Sequence, residues 1–334
     1  MSGWTYEEAG VDIEEEEEAI EALRDSVLFA REGEGAPLES EFTGLVDFGE
    51  FALSLCTDGV GTKLIVANKM EKWDTLGIDC IAMNVNDAIC QGAEPIAFVD
   101  YLAMDDPDPE LARQLGKGLQ RGAEMANITI VGGETATLGE IINGFDIAGT
   151  ALGYVKKEDI VDGSSVKPGD KIVGLPSSGI HSNGLTLARK IVDESDQDYH
   201  DKADFGVIGE ELLEPTRIYV ETVMNALKNY YIKGMANITG GGLRNIPRIN
   251  RNHQYVIDDP LEPQPIFEFL QREGIVSDEE MYQTFNMGMG FAMVVSSEIA
   301  EEVTEDVGGK IVGRVEEGTG VMHLDKKVEY LGSE

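Results

Sequence analysis

Cysteine, histidine and basic side chains are all scarce in this chain. Its three cysteines are Cys56, Cys80 and Cys90, and no two form a C-x-x-C pair. An odd, unclustered set argues against a disulfide framework or a thiolate zinc site, and for small buried apolar residues. Histidines number four. None belongs to an H-E-x-x-H stretch, no Ser-His-Asp order is visible, and neither a Walker loop nor a G-x-G-x-x-G fingerprint occurs. No apolar run approaches the ~20 residues of a membrane helix. Met1–Glu8 is acidic, where a leader would be basic and then apolar. A soluble, cytoplasmic protein is the expectation.

The 26 lysines and arginines stand against 63 aspartates and glutamates, a net charge of −37. Without a basic stripe, nucleic acid is not an expected partner. The acidic excess runs along the whole chain instead of forming a tail, so it belongs to folded surface. Such a surface repels itself in dilute buffer, and molar salt, with a Debye length of about 3 Å, screens it. A salt-rich cytoplasm fits this composition.

Glycine, by contrast, is plentiful at 39 residues, many of them at the ends of apolar runs. The run Phe51–Cys56 reads as a strand that leads into Thr57-Asp58-Gly59-Val60-Gly61-Thr62-Lys63. Glycine turns at strand ends free backbone N–H groups for an anion, and a lysine and a carboxylate beside them suit a phosphate and its metal. Leu76–Gln91 reads as a helix with Asp79, Met83, Asn86-Asp87 and Cys90 near one face. A strand at Ile128–Val131 is followed by a second glycine loop, Gly132-Gly133-Glu134-Thr135. The loop Ser177–Gly184 separates a strand, Lys171–Leu175, from a helix beginning at Leu185. It holds Ser178, Ser182, Asn183 and His181, the one histidine set among glycines and hydroxyls. Asp58, Asp87 and Glu134 lie in or one turn from these loops and are candidate ligands for Mg²⁺, which favours a few carboxylates plus phosphate oxygens.

A length of 334 residues suits about two domains of roughly 150 each. The turn Val166-Lys167-Pro168-Gly169-Asp170 marks the expected boundary, giving 1–165 and 166–334. Strands alternate with helices in both halves, an α/β (α+β) pattern.

Taken in order, nine strings form a register. They are Tyr6–Ile13, Thr57–Lys63, Gly77–Asp87, Gly92–Pro95, Gly132–Thr135, Ser177–Gly184, Glu214–Tyr219, Thr239–Arg248 and Glu280–Gly290. Together they resemble the phosphoribosylformylglycinamidine cyclo-ligases, or aminoimidazole ribonucleotide synthetases, almost from end to end. The resemblance implies a homodimer of two-domain subunits. Their N-terminal sheets would close into a barrel, and a C-terminal mixed sheet with helices would pack beside it. It implies ATP and Mg²⁺ in a cleft with Asp58, Asp87 and Glu134 on the metal. Gly59, Gly61, Thr62 and Gly133 would adjoin the nucleotide, and Lys63 would neutralise phosphate. Ser178, His181, Ser182 and Asn183 would line the adjacent substrate or phosphate region. His181 or Asp87 would move a proton. The chain departs from the family at Asn237, where a histidine is frequent, and at Thr137-Leu138-Gly139-Glu140, where Glu-Met-Pro-Gly is usual.

Overall fold

The computed structural model describes residues 3–5, 9–10, 13–27 and 29–330. Tyr6–Glu8 and Val11-Asp12 of the N-terminal string lie outside the described residues. The glutamate run is helical, as α1 (Ile13–Ser26).

The first half builds a curled half-barrel sheet from β1 (Pro37–Leu38), β2 (Gly44–Phe48), β3 (Phe51–Gly59), β4 (Glu94–Met104), β5 (Thr129–Thr137) and β6 (Phe145–Lys156). The strand order is β1-β2-β3-β6-β4-β5, and only β4–β5 is parallel. Alternation along β3 and β6 sends one set of side chains, including Ala52, Cys56, Ile147 and Ala151, into the core. The helices α2 (Lys63–Met70), α3 (Leu76–Cys90) and α4 (Pro109–Ala126) follow the sheet, with α3 lying directly against β3, β6 and β4. The opposite face of the sheet is bare: Val99, Tyr101, Leu55 and Val131 are all at least 40% exposed.

Every residue of α3 except Asp87 is buried. A helix enclosed on all sides suits the centre of a molecule, and its polar residues then need internal partners. Glycines allow the tight crossing of α3 and α4. A Cβ on Gly77 would sit 2.1 Å from Leu119 N, and one on Gly118 would sit 2.8 Å from Gly77 N. Asp108 caps α4, accepting from the N–H groups of Glu110 and Leu111, with Pro109 in the first turn where no N–H is missed.

The second half forms a seven-stranded sheet and a small hairpin. Its strands are β7 (Lys171–Pro176), β8 (Lys202–Ala203), β9 (Gly206–Val207), β10 (Gly234–Asn237), β11 (His253–Ile257), β12 (Met289–Val295), β13 (Lys310–Glu317), β14 (Gly320–His323) and β15 (Val328–Tyr330). The large sheet runs β10-β12-β7-β13-β11-β14-β15 and is mixed, because β11–β14 is parallel. Its helices are α5 (Leu185–Glu194), α6 (Ile208–Leu212), α7 (Val220–Asn229), α8 (Pro265–Gly274), α9 (Asp278–Thr284) and α10 (Ala300–Val307). One continuous hydrophobic cluster joins α3 and α4 to this second unit.

One expected loop is not a loop. Gly132–Thr135 lies inside β5, paired with β4 from Val99 to Leu102. The glycines lie flat along an edge strand, where no side chain is required on either face.

Candidate active site

Asp58 ends β3, and Asp87 projects from the only unburied position of α3. Backbone and side-chain contacts bring the two elements together, since Asn84 Nδ2 donates to the carbonyls of Asp58 (3.2 Å) and Cys80 (2.8 Å). Asp58 Oδ1 accepts the Gly59 N–H at 2.7 Å. Asp87 opens on a cavity of about 430 Å³ with Ser40, Glu41, Thr43, Cys56 and Thr57 around it. Burial, with Asp58 adding to it, pushes the Asp87 carboxyl up to about 7. Burial also raises Asp58. Two opposing contacts come from the second half. Asn237 Nδ2 donates to Asp87 Oδ1 at 2.9 Å, and the Arg248 guanidinium acts on Asp87 by charge. Arg248 lies 4.3 Å over the Phe42 ring and donates to the Glu41 carbonyl, two residues that line that cavity. Two carboxylates that resist ionisation in the bare cleft form a hard-oxygen donor set suited to a divalent cation, which relieves that resistance.

Glu134 does not join them within one chain. Its strand position pairs with Tyr101, then Ala148, then Gly59. That places it three strand spacings from the Asp58 end of β3, roughly 14 Å along the sheet. Among the described residues no three acidic, histidine or cysteine side chains cluster closely enough to hold a metal. A Cβ at the neighbouring Gly133 would meet Asp100 Oδ1 at 2.5 Å, so a side chain there would displace that carboxylate.

Lys63 also takes a different place from the one expected of a phosphate-neutralising lysine. It is completely buried, and its Nζ donates to Asp79 Oδ1 (2.9 Å) and to the Glu214 carbonyl (2.7 Å). Burial lowers its affinity for the proton, and Asp79 counters that. The ammonium therefore joins two helices to a second-half segment instead of facing the cleft. Gly61, at φ +65, makes the turn before Thr62. Thr62 Oγ1 meets Thr186 Oγ1 at 3.0 Å, linking the loop to the start of α5.

His181 holds a left-handed backbone, φ +64, within its glycine loop. Its Nε2 accepts the N–H groups of Ser178 (3.2 Å) and Arg217 (3.4 Å). Burial, followed by the charges of Lys63 and Arg217, takes the imidazole down to about 3, so it is neutral. Its acceptor nitrogen is already occupied by backbone, which makes His181 a brace for the loop where a proton carrier was expected. Gly290 leaves room for the ring, since a Cβ there would lie 2.6 Å from His181 Cε1. Ser182 and Asn183 remain partly exposed beside it, with Asn183 Nδ2 3.8 Å from Met83 Sδ. Sequence reasoning missed Asp79, Thr216 and Arg248 as parts of this site. All three stand in the nine-string register, but only tertiary contacts give them roles.

Two family models place the chain among the AIR synthase related proteins. The family model for their N-terminal domain matches residues 41–155, and that for their C-terminal domain matches 167–325. The phosphoribosylformylglycinamidine cyclo-ligase of Methanosarcina mazei is 53% identical over 330 residues, 97% of this chain and 98% of that one. Its namesake in Methanocaldococcus jannaschii is 52% identical over 321 residues, 93% and 92% of the two chains. The chain belongs to the phosphoribosylformylglycinamidine cyclo-ligase family. Similar folds, at 17% identity or less, include thiamine monophosphate kinase from Aquifex aeolicus, with TM-score 0.63 over 95% of this chain and 99% of that one. Hydrogenase maturation protein HypE in complex with ATP gives 0.64 over 90% and 88% at 15% identity.

Proposed function

We propose that this chain closes the imidazole ring of 5-aminoimidazole ribonucleotide from phosphoribosylformylglycinamidine, using ATP, in purine biosynthesis. The observation that carries this is full-length identity of about half to curated cyclo-ligases. ATP phosphorylates the formamide oxygen, so that hydroxide, a poor leaving group, becomes phosphate. An amidine nitrogen then attacks the activated carbon, the C–O bond breaks, and ADP and phosphate depart. Such chemistry needs positioning and charge neutralisation more than a protein nucleophile, in keeping with a chain that has no nucleophilic triad. Asp58 and Asp87 would hold Mg²⁺, which when bound neutralises charge on the phosphate oxygens. In this reading the two domains are 1–165 and 166–334.

The active form in this reading is a homodimer whose first-half sheets close into a barrel. Two features support it: the bare apolar face of the sheet, and the unpaired outer edge of the nine-residue β5. Natural proteins cover or blunt such edges and faces. The barrel would bring Glu134 of the partner subunit to Asp58 and Asp87, completing the carboxylate set that one chain leaves open. Complementation tests function and assembly together. Asp87→Asn and Glu134→Gln should each fold and lose turnover, while mixed dimers regain activity because one of their two sites is intact. Mixed dimers as inactive as the parents would contradict a site shared between subunits, and an active Asp87→Asn would contradict the metal role.

A further inference from the structure

The segment Glu214–Arg217 has no role in the reaction as described, yet both sides of the cleft converge on it. From the first half, Lys63 Nζ donates to the Glu214 carbonyl at 2.7 Å. Asp79 Oδ1 accepts from Lys63 Nζ (2.9 Å), Thr216 N–H (2.7 Å) and Thr216 Oγ1 (2.6 Å). Both charged side chains are fully buried. From the second half, Ser178 Oγ donates to the Pro215 carbonyl at 2.5 Å, and His181 Nε2 accepts the Arg217 N–H at 3.4 Å. Ser182 Oγ and Thr216 Oγ1 lie 3.2 Å apart.

The proton inventory gives this chain of contacts a direction. An ionised carboxylate accepts only, and a threonine hydroxyl has one proton. Asp79 Oδ1, beside the Lys63 Nζ, accepts the Thr216 hydroxyl proton at 2.6 Å. Thr216 Oγ1 can then only accept from Ser182, so the Ser182 hydroxyl points its proton inward. What the partly exposed Ser182 has left to offer is a lone pair.

We propose that Asp79 and Thr216 are positioning residues that fix Ser182 as a hydrogen-bond acceptor, and that Ser182 receives an N–H of the substrate's amidine. A lone pair repels a phosphate oxygen and suits an N–H donor. The amidine is the donor that must lie near the Asp58–Lys63 loop, because its own molecule receives the phosphoryl group there. Thr62–Thr186 contact keeps that loop and the Ser182 loop adjacent. This inference rests on the cyclo-ligase reading and deepens it.

The test compares Thr216→Val, Thr216→Ser and Ser182→Ala. Valine keeps the shape and the backbone N–H to Asp79 but removes the hydroxyl. Thr216→Val should raise the KM for the ribotide by about tenfold, the worth of one neutral hydrogen bond, with the KM for ATP unchanged. Thr216→Ser should restore it. Ser182→Ala should show the same defect, and adding Thr216→Val to it should have little further effect. An unchanged ribotide KM, an equal rise for ATP, or a serine variant as impaired as valine overturns the proposal. Amide exchange of residues 181–183 is a readout independent of turnover. It should quicken in Thr216→Val and not in Thr216→Ser, and equal exchange in both overturns the proposal. A wild-type protein without ribotide-dependent turnover contradicts the cyclo-ligase reading itself, and the exchange comparison still decides the relay.

Discussion

At the scale of single residues, burial decides what the charged groups of the cleft can do. The ordinary histidine value is 6.5, and burial takes His181 to about 3. Between those values the folded chain binds fewer protons than the unfolded one, so stability rises with pH. This contribution is complete above about 6.5 and is lost as pH falls toward 3, at up to about 1.4 kcal/mol per pH unit. Denaturant unfolding of wild type against His181→Gln across that range should show the slope reduced in the variant. Equal slopes would contradict the buried, neutral imidazole. Composition and spacing single out His181, Asp58 and Asp87 because each stands in or beside a polar glycine loop. They cannot show that Lys63 pairs with Asp79, since that contact joins the starts of two helices with Glu214.

At the scale of elements, the first sheet is legible on one face and not on the other. The apolar run Phe51–Cys56 marks β3 in the sequence, whereas the close crossing of α3 and α4 at Gly77 and Gly118 emerges only from the fold. The bare face carries the same apolar alternation as a buried one, so sequence alone does not distinguish core from interface. The Gly132–Thr135 string reads as a loop in the sequence because glycine usually ends strands; its pairing with β4 is set by distant residues. Val99 is 40% exposed on the bare face. Val99→Asp should abolish the dimer, leaving a folded monomer by light scattering and circular dichroism. A variant of unchanged mass would contradict an interface on this face.

At the scale of the whole molecule, the net charge of −37 makes the surface repel itself in dilute buffer. Raising KCl from 0.1 M to 1 M shortens the Debye length from about 10 Å to about 3 Å. The unfolding temperature should therefore rise steeply over that range, and a flat profile would contradict a salt-adapted surface. The buried Lys63–Asp79 pair is shielded from solvent and should respond little. The two sheets are legible as two runs of alternating strands and helices. The burial of α3 on nearly all sides is not, because its polar residues Asp79, Asn84 and Asn86 read as a solvent-side face and are buried against internal partners instead. Everything proposed for the cleft depends on the reaction it carries out. Incubation of the protein with ATP, Mg²⁺ and phosphoribosylformylglycinamidine in high KCl tests that reaction most directly, with ADP and the aminoimidazole product measured together. The expected result is one ADP for each imidazole formed and no ADP without the ribotide. ADP formation that ignores the ribotide, or no imidazole product, would contradict the cyclo-ligase reading.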